Sequence, residues 1–196
     1  MNYCHIVAIC IFVFVIFKLL LKQKSNKNSE NIFYGKKQFD VRDEFNLNKF
    51  KEKIDENGQN ALTEIKTGKK LSHWMWYIFP QFKKNNVSEK SAYYSIKSFD
   101  EAKAYFQDKK LKNFLVKITT QVKMHLSTSS PKTICDIFGV IDAKKFLSCM
   151  TLFFYVAENL GDHNSAKLFK FCKNVGESEL KYIDKKTIFV CEKQIQ

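Results

Sequence analysis

The chain has 196 residues, enough for one domain with a proper core plus an appendage and too few for two ordinary domains. Hydrophobic residues make up 45% and aromatics 15%, which excludes a charge-dominated disordered chain. The formal charge of +13 is carried by 33 basic residues, of which Arg42 alone is arginine; without the planar guanidinium fork that grips phosphate and reads guanine, specific nucleic-acid binding is not expected.

Residues 6–17, IVAICIFVFVIF, are apolar without interruption. With 19–21 beyond Lys18 they give residues 3–21 just the length a transmembrane helix needs, about 20 residues, and Lys18 can snorkel to the headgroups. A cleaved signal peptide would carry positive charge before its apolar core and small residues at a cleavage site. Here MNYCH holds no lysine or arginine, and no A-x-A-like site follows. Positive charge comes after the span, at Lys18, Lys22, Lys24, Lys27, Lys36 and Lys37, with Glu30 the one acid among them. A single-pass membrane anchor with the domain facing the cytoplasm is therefore expected. Residues 22–38 read as a polar basic tether whose lysines lean on anionic headgroups.

From 39 to 187 the stop and start signals arrive at helical intervals. Ala61, Leu62 and Ile65 form a short apolar stripe that Gly68 is placed to end in a left-handed turn. The decapeptide SHWMWYIFPQ at 72–81 follows. Ser98 and Glu101 form an S-x-x-E capping box, opening a helix through Ala102, Tyr105 and Phe106. Leu111, Phe114, Leu115, Ile118, Val122 and Leu126 recur three or four apart, as one buried helical face does, and His125 falls beside them as a core histidine satisfied by a carbonyl. Ser130 and Pro131 predict an N-cap and first helical position, Gly139 the end of that short helix, and Asp142 the cap of the next. That next segment, AKKFLSCMTLFFYVAEN, is apolar on more than one face and is expected at the centre. An amphipathic helix starts at Asp162, carrying Ala166, Leu168, Phe169, Phe171 and Cys172. TIFVC alone has the β-branched character of a strand, and it has no partner. The expectation is a compact all-α, multi-helical single domain of six to eight helices at 39–187, with 188–196 a C-terminal tail.

The six cysteines, at 4, 10, 135, 149, 172 and 191, show no CxxC pair and no histidine cluster beside them. They read as isolated thiols that pack like small hydrophobes, so no metal site and no cofactor is expected. Glycine-rich phosphate loops and G-x-S-x-G are absent from the sequence as well.

Several separated motifs, in one order, resemble the domain of unknown function 1810 family, small all-helical proteins: FNLNKF at 45–50, ALTEIKTGKK at 61–70, SHWMWYIFPQ, YSIKSFDEAKAY at 94–105, DIFG at 136–139 and DAKKFLSCMTLF at 142–153. The resemblance implies the fold and no established reaction. The sequence departs from the family pattern at Gly58, where a tyrosine is usual, in KKNNVSE after the aromatic motif, and in DKKLKN, which lacks the usual histidine-proline and glycine.

SHWMWYIFPQ admits two readings. As a wedge, Trp74, Trp76, Tyr77, Phe79 and Phe82 each bury about 150–250 Å² and Pro80 ends the segment. As a pocket wall, His73 is the candidate catalytic acid or base. Ser72, Trp74, Trp76, Gln81, Lys145 and Ser148 are then the candidate ligand-binding residues: the tryptophans stack on a flat ring, Lys145 holds a phosphate or carboxylate, and the others hydrogen-bond. Each polar group has a local structural explanation too, as a cap or a bond back within its own helix. The pocket reading implies binding or cleavage of a nucleotide-like or other anionic small molecule. The alternative is a non-catalytic helical interaction module tethered to a membrane, and the sequence points to no particular protein partner.

Overall fold

A computed structural model of the chain describes residues 43–85 and 87–195; the anchor expected at 3–21, the tether at 22–38 and the opening residues 39–42 of the domain lie outside the described residues. Eight helices follow in chain order: α1 (Asn48–Thr67), α2 (Met75–Ile78), α3 (Glu89–Tyr93), α4 (Phe99–Gln107), α5 (Lys109–Leu126), α6 (Ile134–Asn159), α7 (His163–Leu180) and α8 (Lys185–Glu192). Among the described residues there is no strand, only an isolated parallel bridge between Phe82 and Ile96. Among them, too, no helix is long and apolar enough to cross a membrane.

The long helices form because their apolar residues fall on one face and their ends are capped. On α1 the buried stripe runs Ile54, Gly58, Ala61, Leu62, Ile65, and Gly68 closes it at φ 78°, its N–H returning to the Ile65 carbonyl. Gly58 leaves room for the Phe114 ring of α5: a Cβ there would lie 2.9 Å from Phe114 Cε2. Ser98 caps α4 by accepting the Glu101 N–H at 3.0 Å, but the box closes differently from the sequence expectation. Glu101 Oε2 accepts from Lys97 N, and Oε1 faces the ammonium of Lys49 at 3.6 Å, a buried ion pair that links α1 to α4. On α5, Leu111, Leu115, Ile118, Val122 and Leu126 are buried, and His125 Nε2 meets the Ile65 carbonyl at 2.7 Å, the partner expected of a core histidine.

Helix α6 starts later than Ser130 and Pro131 predict. Thr133 is the N-cap, its hydroxyl accepting from Asp136 N at 3.0 Å while the Asp136 carboxylate accepts from Thr133 N at 2.8 Å. Two reciprocal bonds satisfy more of the exposed helix terminus than a serine followed by proline. Gly139, at φ 71° and ψ 159°, breaks the helical path as expected. Asp142 accepts no backbone N–H and is committed instead to Lys70 and Lys145. Beyond the kink α6 is central: Phe146, Leu147, Cys149, Met150, Leu152, Phe153 and Val156 are all fully buried, and the helix packs on α7 along most of its length as well as on α2, α4 and α8. Each such side chain contributes about 1.5–3 kcal/mol by leaving water.

The strand-like TIFVC lies in α8. Asp184 caps it, accepting from Thr187 N at 3.2 Å, and the i, i+4 pair Thr187 and Cys191 is buried against the core. Tertiary burial of that face overrides a modest β-propensity. The boundary drawn at residue 187 therefore falls inside a helix: Cys191, assigned to a tail, is fully buried.

Candidate functional site

The decapeptide 72–81 folds mainly as a wedge. Only Met75–Ile78 makes a helical turn, and Trp74, Met75, Tyr77, Ile78, Phe79, Pro80 and the following Phe82 are buried. Phe79 sits edge-on to Phe138 and Phe146 of α6, with centroids 5.7 and 5.0 Å away, which locks the motif onto the central helix.

What holds the segment in this course is Glu64, one turn after Ala61 on α1. Its carboxylate is nearly buried and accepts from the backbone N–H of Leu71 and Ser72, from Ser72 Oγ, from Asn60 Nδ2 and from Trp74 Nε1, the last at 2.8 Å. Burial alone would raise its pKa. The hydrogen bonds from Ser72, Leu71 and Trp74 outweigh that and bring it down to about 2, so the group is a carboxylate throughout the neutral range. Ser72 and Trp74 are thus engaged with Glu64, and Trp74 is too deeply buried to offer a ring face to a ligand.

Trp76 differs from its neighbours. It is half-buried, and two ammonium groups lie over its ring, Lys90 Nζ at 4.6 Å and Lys145 Nζ at 5.2 Å from the centroid. Lys145 is fixed by Asp142 at 2.8 Å; Asp142 also holds Lys70 at 2.7 Å, and Lys70 lies 5.2 Å over the Trp74 ring. Burial would raise the Asp142 pKa, but the hydrogen bonds from Lys145 and Lys70 prevail and hold it below the usual carboxylate range. Lys90, by contrast, has no carboxylate within ion-pair distance among the described residues.

One turn along α6, Ser148 is buried, donates to the Lys144 carbonyl at 3.1 Å and accepts from Lys84 Nζ at 3.2 Å. Lys84 also pairs with the buried Asp184 at 3.6 Å. Burial would raise the Asp184 pKa; the nearby Ser148 hydroxyl, the charge of Lys84 and the bonds from Thr187 hold it down. This group staples α8 to α6.

The seven sequence candidates therefore divide. Ser72, Trp74, Trp76 and Lys145 belong to one strip running from Glu64 through Lys70 and Asp142 to Lys90, and Ser148 borders it through the helix. His73 is exposed, and among the described residues no hydrogen bond orients its ring; only its carbonyl is engaged, accepting weakly from Tyr77 Oη at 3.4 Å. Gln81 is half-buried and contributes its carbonyl to Ile96 N at 2.9 Å. Glu64, Lys70, Lys84, Lys90 and Asp184 were missed as partners. For Glu64 the signal was in the sequence, an acid three residues from Ala61 on the apolar face of α1.

Cavities lie away from the strip and at its edge. One, of about 550 Å³, is lined by Phe106, Gln107, Lys109, Lys112, Asn113, Leu160 and Asp162, with Lys112 paired to Asp162 at 2.7 Å. The other, of about 420 Å³, is formed at the α6 kink by Phe138 to Asp142. Among the described residues no group of three or more histidine, cysteine, aspartate or glutamate side chains is placed to hold a metal. The thiols of Cys149, Cys172 and Cys191 are buried, and burial pushes the last two up to about 12.

Comparison with known proteins agrees with this architecture. The model of a family described as protein of unknown function (DUF1810) matches residues 44–181. The crystal structure of the conserved hypothetical protein Rv1873 from Mycobacterium tuberculosis is similar, with a TM-score of 0.62 at 28% identity, covering 74% of this chain and 96% of that one. No curated protein matches the chain.

Proposed function

The chain belongs to the DUF1810 family of proteins of unknown function, and on that premise we propose that its Trp76 face binds an anionic small molecule with a flat ring, nucleotide-like in chemistry. The observation that carries the reading is the exception within the motif: every other aromatic from 74 to 82 is buried, while Trp76 is half-buried with two ammonium groups close over its ring. An indole face stacks on a base irrespective of its identity, and lysine supplies point charges for phosphate. Lys145 is held in place by Asp142, and Lys90 is free to leave the ring for a phosphate as the base takes its place. Binding is what this arrangement supports. His73 is a candidate catalyst only in the sense that it is an exposed imidazole close in sequence.

The test is titration of the full chain with adenosine, AMP and ATP, read by tryptophan fluorescence. Trp74 is sealed in the core, so saturable quenching reports on Trp76. Trp76→Ala is expected to weaken nucleotide binding about tenfold or more, measured by calorimetry, and Lys145→Ala to weaken ATP more than adenosine. Absence of any saturable signal, or equal binding by Trp76→Ala, overturns the reading.

The sequence also supports tethering of this domain at the cytoplasmic face of a membrane by residues 3–21, followed by the basic tether 22–38. A fluorescent fusion of the full chain is expected to collect at membranes. Even spread through the cytosol removes the anchor.

A further inference from the structure

Three aliphatic side chains stand out of the domain at one place. Leu71, Val140 and Ile141 are 71, 60 and 74% exposed, although the residues beside them, Ile137 and Phe138, are buried. The backbone explains the exposure: at φ 71° and ψ 159° Gly139 takes the chain out of the helical path, so the two residues after it point away from the core. The Leu71 segment is tied to this corner through Lys70, whose N–H donates to the Ile137 carbonyl at 2.7 Å and whose ammonium pairs with Asp142. Beside the aliphatic residues lies the cavity of about 420 Å³ lined by Phe138 to Asp142.

Charge around this corner is mainly positive. Lys66, Lys69 and Lys144 are exposed, the Lys144 ammonium lying 5.8 Å over the Tyr182 ring, and Lys132 reaches the Gly68 carbonyl at 3.1 Å. Of the acids, Glu64 lies nearly buried beneath Leu71 and accepts its N–H at 2.7 Å, Asp142 is neutralised by two lysines, Asp136 is committed to the capping box, and Glu179 accepts from Ile134 N at 2.6 Å at the far side of the kink. Exposed aliphatic side chains at a corner, rimmed by lysines, match the interface of an anionic bilayer: apolar area enters the acyl boundary while ammonium groups meet phosphates and carboxylates of the headgroups.

We propose that the corner formed by Leu71, Val140 and Ile141 docks on an anionic membrane surface, with Lys66, Lys69, Lys132 and Lys144 on the lipid headgroups. The proposal is independent of the Trp76 reading. It concerns the orientation of the domain on the bilayer and does not require residues 3–21 to span it.

The experiment uses the full chain mixed with vesicles of brominated phosphatidylcholine and phosphatidylserine, where bromine quenches only an indole that enters the acyl region. Ile141→Trp adds a reporter at the corner, 74% exposed; Phe189→Trp adds one on α8 at a position that is 57% exposed. Circular dichroism checks that both fold. The added emission of Ile141→Trp is expected to fall by roughly half, and that of Phe189→Trp to stay unchanged. Quenching at neither site, or equal quenching at both, overturns the proposal, as does undiminished quenching at position 141 when phosphatidylserine is left out. A concentration-dependent blue shift of Ile141→Trp without vesicles identifies a second copy of the chain as the occupant and overturns it as well.

Discussion

Glu64 accepts five hydrogen bonds with no cation paired to it among the described residues, which makes its carboxylate, rather than any aromatic ring, the organiser of the stretch from 71 to 74. Its folded-state pKa of about 2 lies below the ordinary 4.5, so its contribution is fully present above pH 4.5 and is lost as pH falls through 2. At neutral pH that amounts to of order 3 kcal/mol. Glu64→Gln keeps the shape, replaces one acceptor oxygen by a donor and removes the charge. It is expected to cost about 2–3 kcal/mol in urea denaturation at pH 7, with a gap from the parent that closes as the pH approaches 2. A constant gap across that window would show that the charge is not what stabilises the segment. None of this was legible from SHWMWYIFPQ alone, because the partner lies on another helix and its identity depends on how the chain returns after Gly68.

At the scale of elements, the informative position is Gly139. An added Cβ meets nothing within 4 Å, so any penalty for substitution comes from the backbone alone. At φ 71° and ψ 159° that penalty is high for an L-residue, about 1–3 kcal/mol. Gly139→Ala is therefore expected to lower the thermal midpoint even though it fills no occupied space. A melt unchanged from the parent would mean that the kink relaxes into continuous helix. The sequence indicated a break here, since glycine follows a capped apolar turn; it misplaced the start of α6, because Ser130 and Pro131 make a generic signal and the full reciprocal box at Thr133 and Asp136 outcompetes it.

For the whole molecule, α8 shows where family resemblance and folded unit part. The family match ends at residue 181, yet α8 buries Thr187 and Cys191, and Asp184 anchors it through Lys84 to Ser148 on α6. Ending the chain after residue 184 is expected to destabilise the domain by several kcal/mol, by exposing the bed of Cys191 and stripping the donors from Asp184. Asp184→Ala alone is expected to cost about 1–3 kcal/mol, because Lys84 is half-exposed and regains water. Denaturant midpoints of the two variants, compared with the parent, test both; a truncated chain as stable as the parent would return α8 to the status of a tail.

The sequence by itself determined the helices and the apolar faces on which they meet, because period, caps and glycine stops are set by residues within one or two turns of each other. It also pointed to Trp74, Trp76 and Lys145 as near neighbours of one another's chemistry. Only the tertiary structure decided which of the tryptophans stays half-buried, that TIFVC coils rather than extends, and that Asp142 serves two lysines instead of a helix end. Those outcomes depend on groups tens of residues away competing for the same burial and the same hydrogen bonds, and no local pattern records which competitor prevails.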